Sequence, residues 1–392
     1  MILKIKNAKV ISGGEITSYN VYIEDDKIKA VSGEELYFDE EFDAEGNYLS
    51  SGFIDIHTHG AGGYDFGDGQ ESDILNGAYA HAKHGTTGIY PTCTSSSFDE
   101  QITFIRNVKS AMAKNAPGIP HILGSHLEGP YFNLKMCGAQ NPEHIRTAKK
   151  EEYTAFVKEG EGTLRRISFA PEIEGTDELL DYLNEEKIVS SFGHTDGIYE
   201  EIQPYIDKGC RLATHLYSGM NTVTRRDLMR KLGAVETALY DDSVTVEVIA
   251  DGIHLPKELL GFIYKIKGSD RVCLVTDSMR GAGCKEGRYI LGPKDTGLET
   301  EVRNGVAYLT DMTAFAGSVA TADRLVRVMY KEAKIPLCEC IKMITETPAN
   351  VMGVCDRGLV KEGYVADIVI FDDDINIKKV IIRGKELKDK EI

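Results

Sequence analysis

Between residues 52 and 278 the chain alternates short apolar runs with longer stretches of helical periodicity. Eight runs follow one another: "GFIDIH", "TTGIYPT", "HILGSHLEG", "RRISFAPE", "VSSFGH", "RLATHLY", "TVEVIADG" and "RVCLVTDS". Their length and their β-branched and aromatic content, with Gly, Pro or Asp at the edges, read as buried strands. The connectors read as helices. In "SSFDEQITFIRNVKSAMAK", Ile102, Ile105, Val108 and Met112 fall on one helical face, and Asp99 and Glu100 occupy the first turn, where acids complement the helix dipole. Strands alternating with helices imply a parallel sheet, and eight of them imply a (β/α)8 TIM-type barrel over residues 51–355.

The two ends have a different texture. "LKIKNAKVI" and "NVYIEDDKIKAV" near the start, and "VADIVIFDD" and "IKKVIIRGKEL" near the end, alternate apolar and polar residues with a period of two. A pair of hairpins is marginal in water on its own. The economical expectation is one small β-sandwich domain built from both ends, residues 1–50 and 356–392. Residues 286–312, Gly-rich and hydrophilic, read as an excursion over the mouth of the barrel.

Composition narrows the function classes. A net charge of −17 argues against nucleic acid or an anionic membrane as partner, since both need clustered Lys and Arg. It leaves room for a small anionic substrate in a local cationic pocket. No run approaches the length of a spanning helix, and the alternating start reads as a strand rather than a signal peptide. The eight cysteines are scattered without a C-x-x-C pair, which suggests a reducing cytoplasm and packing roles.

The chemistry gathers at the strand ends. The first run ends in His57 and His59, the third in Glu128, the fifth in His194 and the sixth in His215. The seventh ends in Asp251, with His254 close behind, and the eighth in Asp277. Half of the ten histidines fall at these positions. A closed barrel brings the C-terminal strand ends to one mouth. Imidazole nitrogens with carboxylate oxygens suit zinc or a similar divalent ion that keeps a position open for water, and a further carboxylate can shuttle protons. His81, His84, His121 and His144 read as helix decoration, surface or packing residues, and His126 as a support for Glu128 on the same strand face.

These motifs resemble the amidohydrolase superfamily, and within it the N-acetylglucosamine-6-phosphate deacetylases. The pieces that carry the resemblance are "GFIDIHTHG", "HLEGP", "GHTDG", "THLYSGM", "IADGIH", "LVTDSM", "FAGS" and "GLVKEGYVADIVIFD". The resemblance implies that Glu128, His194 and His215 hold the essential ion, zinc first, with iron, manganese or cobalt as alternatives. It implies a second ion at His57 and His59 with Glu128 as the bridge, and Asp277 as general base and then general acid. On the substrate side it implies Gln140 near the scissile carbonyl, His254 near the phosphate, and Ser218 and Gly219 beside the sugar. It further implies a homodimer in which Arg226 reaches the phosphate in the neighbouring active site. Two departures lie on that side: "RRDLM" replaces the usual arginine loop, leaving Arg225 and Arg226 both open, and Ser218-Gly219 replaces the usual Asn-Ala.

The expected reaction is removal of the acetyl group from N-acetylglucosamine 6-phosphate, giving glucosamine 6-phosphate and acetate. The alternatives are a deacetylase of N-acetylgalactosamine 6-phosphate or an unphosphorylated sugar, a cyclic-amide hydrolase or deaminase of the same superfamily, and a retired scaffold without activity. The strand-four end, "SFAPEIEG", lacks the lysine that binuclear cyclic amidases carry there, which favours the deacetylase.

Overall fold

The computed structural model describes residues 1–387. The eight apolar runs form the inner sheet, with strands at Phe53–Thr58, Thr86–Cys93, Ser125–Glu128, Leu164–Phe169, Val189–Phe192, Leu212–Ala213, Thr245–Val248 and Val272–Leu274. Each pairs in parallel with its neighbour in sequence. Main-chain bonds from Asp277 N–H to the His57 carbonyl (2.9 Å) and from His59 N–H to the Ser278 carbonyl (2.8 Å) link the eighth segment back to the first. The barrel closes at its functional end.

The helix after the second strand, Phe98–Met112, starts on a capping box between Ser97 and Glu100 and buries Ile102, Ile105 and Val108. Its apolar face joins the main core between strands and helices, where Val246 and Val248 of the seventh strand also lie. Glu247, between them, points the other way, into the barrel, as alternation along a strand requires.

Both ends meet in one small unit. A four-stranded sheet (Ile2–Lys6, Asn20–Glu24, Lys27–Ser32, Glu40–Asp43) faces a six-stranded one that pairs Tyr48–Ser51 with Ile368–Phe371. Ile5, Val10, Val21, Leu49, Ile368 and Ile370 fill the space between them. Tyr48–Ser51 still belongs to this unit, and the first barrel strand begins two residues later. Gly52, between them, has ordinary backbone and is needed for close approach: a Cβ there would lie 2.1 Å from Thr87 Oγ1.

The stretch 286–312 is more ordered than its composition suggests. It forms a three-stranded antiparallel meander, Gly287–Leu291, Leu298–Arg303 and Val306–Leu309, with a core of Met279, Leu291, Val302, Ala307 and Ala316. The signal is Asn304-Gly305, both at positive φ, the two-residue hairpin turn that matches strand twist. Arg225 and Arg226 lie on a second hairpin, Thr224–Arg226 with Met229–Lys231, turned by Asp227 and Leu228 at φ 47° and 68°.

Candidate active site

Glu128 stands at the centre of the cluster at the strand ends. Its Oε1 lies 2.8 Å from His215 Nε2, 3.2 Å from His194 Nε2 and 3.4 Å from His57 Nε2. Its Oε2 lies 3.2 Å from His59 Nε2. Asp277 Oδ1 is 3.1 Å from His59 Nε2 and 3.5 Å from His57 Nε2. All six side chains are buried. Three of these residues leave their strands in left-handed backbone, His194 at φ 47°, His215 at φ 27° and Asp277 at φ 46°. Non-glycine residues hold such conformations only where surrounding bonds over-determine them, and they concentrate at functional sites. Asp277 is held by its own N–H to His57 and by the Ser318 N–H to its carbonyl (2.7 Å).

Burial opposes charge on Glu128, yet His57 and the hydrogen bonds from His194 and His215 hold its carboxyl well below the usual range. Burial likewise opposes charge on Asp277, and His57 and His59 outweigh it, so this carboxyl is also held low and ionised. The carboxylates in turn overcome burial at His57, whose imidazole is raised to about 9, and at His59, raised well above its ordinary value. Negative charge is concentrated here, and a divalent cation would offset it as protons on imidazole do.

Among the described residues two groups present ligand atoms within 4.8 Å of one another: His57, His59 and Glu128, and Glu128, His194 and His215. The Met136 carbonyl occupies His194 Nδ1 at 2.8 Å, and Glu247 occupies His57 Nδ1 at 3.1 Å, which leaves Nε2 of each ring facing the cluster. Among the described residues, His57 Nε2 has no hydrogen-bond partner. Imidazole rings fixed through one nitrogen, with a carboxylate between them, fit a divalent ion of the zinc type.

A cavity of about 170 Å³ opens above the cluster. Gln140 reaches into it with both ends of its amide committed, Nε2 donating to Glu128 Oε2 and Oε1 accepting from Ser95 N–H, each at 2.6 Å. Ser218 and Gly219 line the wall. Gly219, at φ 56°, packs so close that a Cβ would lie 2.6 Å from His194 Nδ1, a physical reason for glycine in this chain. His254 lines the far side, its Nδ1 bonded to Asp251 Oδ2 at 2.9 Å and its ring 4.8 Å from that of Phe315. Arg225 and Arg226 stand apart, exposed on their hairpin, with Arg226 paired to Asp196 at 2.9 Å.

Some residues took roles that sequence reasoning missed. His81 does not decorate its helix: it is buried, with Nε2 2.9 Å from Thr58 Oγ1 and 3.3 Å from the Gly60 carbonyl, and burial drops its imidazole to about 3. His126 bonds Ser168 Oγ at 2.6 Å and sets its ring edge against His57, 4.8 Å between centroids. Glu247 and Arg166, fully buried inside the barrel, form an ion pair beneath His57. A charged residue midway along an apolar strand was the available signal for both.

Known proteins resemble this chain over nearly its whole length. The model of the amidohydrolase family matches residues 48–387. The N-acetylglucosamine-6-phosphate deacetylase of Bacillus subtilis (strain 168) is 32% identical over 97% of this chain and 96% of its own. The N-acetylgalactosamine-6-phosphate deacetylase of Escherichia coli O157:H7 is 30% identical over 88% of each. A variant of the N-acetyl-D-glucosamine-6-phosphate deacetylase of Mycobacterium smegmatis, solved in complex with N-acetyl-D-glucosamine-6-phosphate, superposes with a TM-score of 0.89 at 27% identity, over 99% of both chains.

Proposed function

The chain belongs to the amidohydrolase family, and from that premise we propose that it removes the acetyl group of N-acetylglucosamine 6-phosphate, giving glucosamine 6-phosphate and acetate. One observation carries the chemistry: the ionised Asp277 carboxylate stands beside a carboxylate shared by two histidine groups, at the floor of a cavity. Glu128, His194 and His215 would hold the essential ion, and His57 and His59 would hold a second with Glu128 as the bridge. Zinc suits these donors best, and iron, manganese and cobalt share them. Such an ion supplies a polarised carbonyl and a more acidic water.

The chain's own residues do the rest. Asp277 accepts the proton of the attacking water as its oxygen bonds to the acetyl carbon. It then hands that proton to the amide nitrogen as the C–N bond breaks, because an unprotonated amine leaves poorly. Gln140, held between Ser95 and Glu128, orients the acetyl end of the substrate. Asp251 fixes the ring of His254 toward the sugar-phosphate end.

Among the described residues no Lys or Arg lines the cavity, so one chain leaves a phosphate short of positive charge. Arg226, paired to Asp196, sits on a hairpin that also exposes Leu228 and Met229, with exposed Val223 just before it. We place this hairpin at the interface of a homodimer, with Arg226 completing the neighbouring phosphate site. Arg226→Ala is expected to raise KM for the phosphorylated sugar by about 10- to 100-fold, the worth of one charged hydrogen-bonded contact, with kcat little changed. That effect in Arg225→Ala instead would move the assignment by one residue. The eight unpaired cysteines favour a cytoplasmic setting.

The second reading, N-acetylgalactosamine 6-phosphate, draws on the near-equal similarity to a deacetylase of that sugar and on Ser218-Gly219. Acetate release from the two C4 epimers and from free N-acetylglucosamine separates the readings. The highest kcat/KM is expected for N-acetylglucosamine 6-phosphate. A higher value for its epimer would change the sugar and keep the chemistry; ammonia in place of acetate would overturn both.

A further inference from the structure

Glu247 is a carboxylate without solvent contact in the middle of an apolar strand, between Val246 and Val248. A buried charge persists only where every lone pair is answered. Its Oε1 pairs with Arg166, whose other donors reach the Ile56 carbonyl (3.3 Å), Ser191 Oγ (3.0 Å), Thr214 Oγ1 (3.2 Å) and Ser168 Oγ (3.5 Å). The guanidinium is thereby tied to strands one, four, five and six and cannot swing away. Oε2 is then left for the site above: it lies 3.1 Å from His57 Nδ1 and accepts the His215 N–H at 3.1 Å. A neutral imidazole, the form that binds a cation, carries its lone pair on Nε2 when it donates from Nδ1. That nitrogen is the one aimed at Glu128 and Asp277.

We propose that Glu247, locked by Arg166, is a positioning residue that fixes His57 as an Nε2 donor and thereby sets how tightly the His57–His59 group holds its ion. This rests on the two-ion reading of the site. It adds to that reading why His57 presents one tautomer, and why the two groups keep their spacing: one oxygen holds the ring of one ligand and the main chain of another.

The test is Zn²⁺ bound per chain, with affinities from chelator competition, on folded wild-type protein, Glu247→Gln, and the double variant Arg166→Met/Glu247→Leu. The double variant replaces the ion pair by apolar groups and keeps the test open if Glu247→Gln leaves Arg166 unanswered and does not fold. Wild type is expected to bind two ions, and both variants to keep one while holding the second about 10- to 100-fold more weakly. A purely structural pair would lower the melting temperature and leave the second affinity unchanged. Two ions of wild-type affinity in a folded variant would overturn this inference alone. A wild-type ratio of one would overturn the two-ion reading itself, and this inference with it.

Discussion

Asp277→Asn is expected to lower kcat about 10²- to 10⁴-fold while KM and bound metal stay near their wild-type values. Asparagine keeps the size of the side chain and an oxygen toward His59, so the backbone at φ 46° and the bonds to His57 and Ser318 have no reason to change. It cannot take a proton from water or return one to the leaving nitrogen. The expected loss corresponds to about 3 to 5 kcal/mol of transition-state stabilisation. It should fall on kcat because the carboxylate acts between bound states rather than in forming them. The checks are steady-state kinetics with N-acetylglucosamine 6-phosphate and metal content of the same preparation. Turnover within about tenfold of wild type would remove Asp277 from proton transfer. A parallel loss of metal would make it a ligand instead.

Much of this architecture was legible because each strand announces itself locally. An apolar run followed by a polar hinge marks a barrel strand, and the residues at its end share a mouth with those of every other strand. His57, His59, Glu128, His194, His215 and Asp277 are thus found together in the structure although up to 220 positions separate His57 from Asp277. The sixth strand is the instructive exception. The run "RLATHLY" suggests seven extended residues, but only Leu212–Ala213 pair as strand. The chain then turns through His215 at φ 27° and Tyr217 at φ 78°, which places the imidazole on Glu128.

What the sequence withheld was long-range polar pairing. Arg166 stands in the strand run "RRISFAPE" and Glu247 in "TVEVIADG", and neither run shows where the partner of its charge lies. They become a pair only when the fourth and seventh strands face each other across the barrel, 81 positions apart. His81 was misread for a related reason. Helical periodicity places it near a helix end, but its exposure depends on Thr58 and Ser278 arriving from the first and eighth strand ends. Burial of a polar residue is a property of the assembled fold, whereas burial of an apolar one is already written in its period.

Glu128→Gln is expected to have the other large effect, and a different one. The substitution conserves volume, so it leaves no cavity, but it removes the charge that four imidazoles share within 3.4 Å. A neutral amide is a poor ligand for a hard or borderline divalent ion, and here both candidate groups lose the same member. Metal bound per chain after dialysis should fall well below one. Activity should drop by about three powers of ten or more, the kinetic equivalent of the several kcal/mol that an ion contributes to such a hydrolysis. His57 and His59 should also lose one of the carboxylates that raise their imidazoles, while Asp277, and Glu247 at His57, continue to raise them. With less charge left to balance, the fold should survive, and a melting curve close to that of metal-free wild type checks this. The contrast with Asp277→Asn is the informative part, since one variant should keep metal without turnover and the other should lose both. If Glu128→Gln retains a wild-type complement of metal, the ion is held elsewhere in the barrel, and the assignment of Glu128 as the common ligand fails.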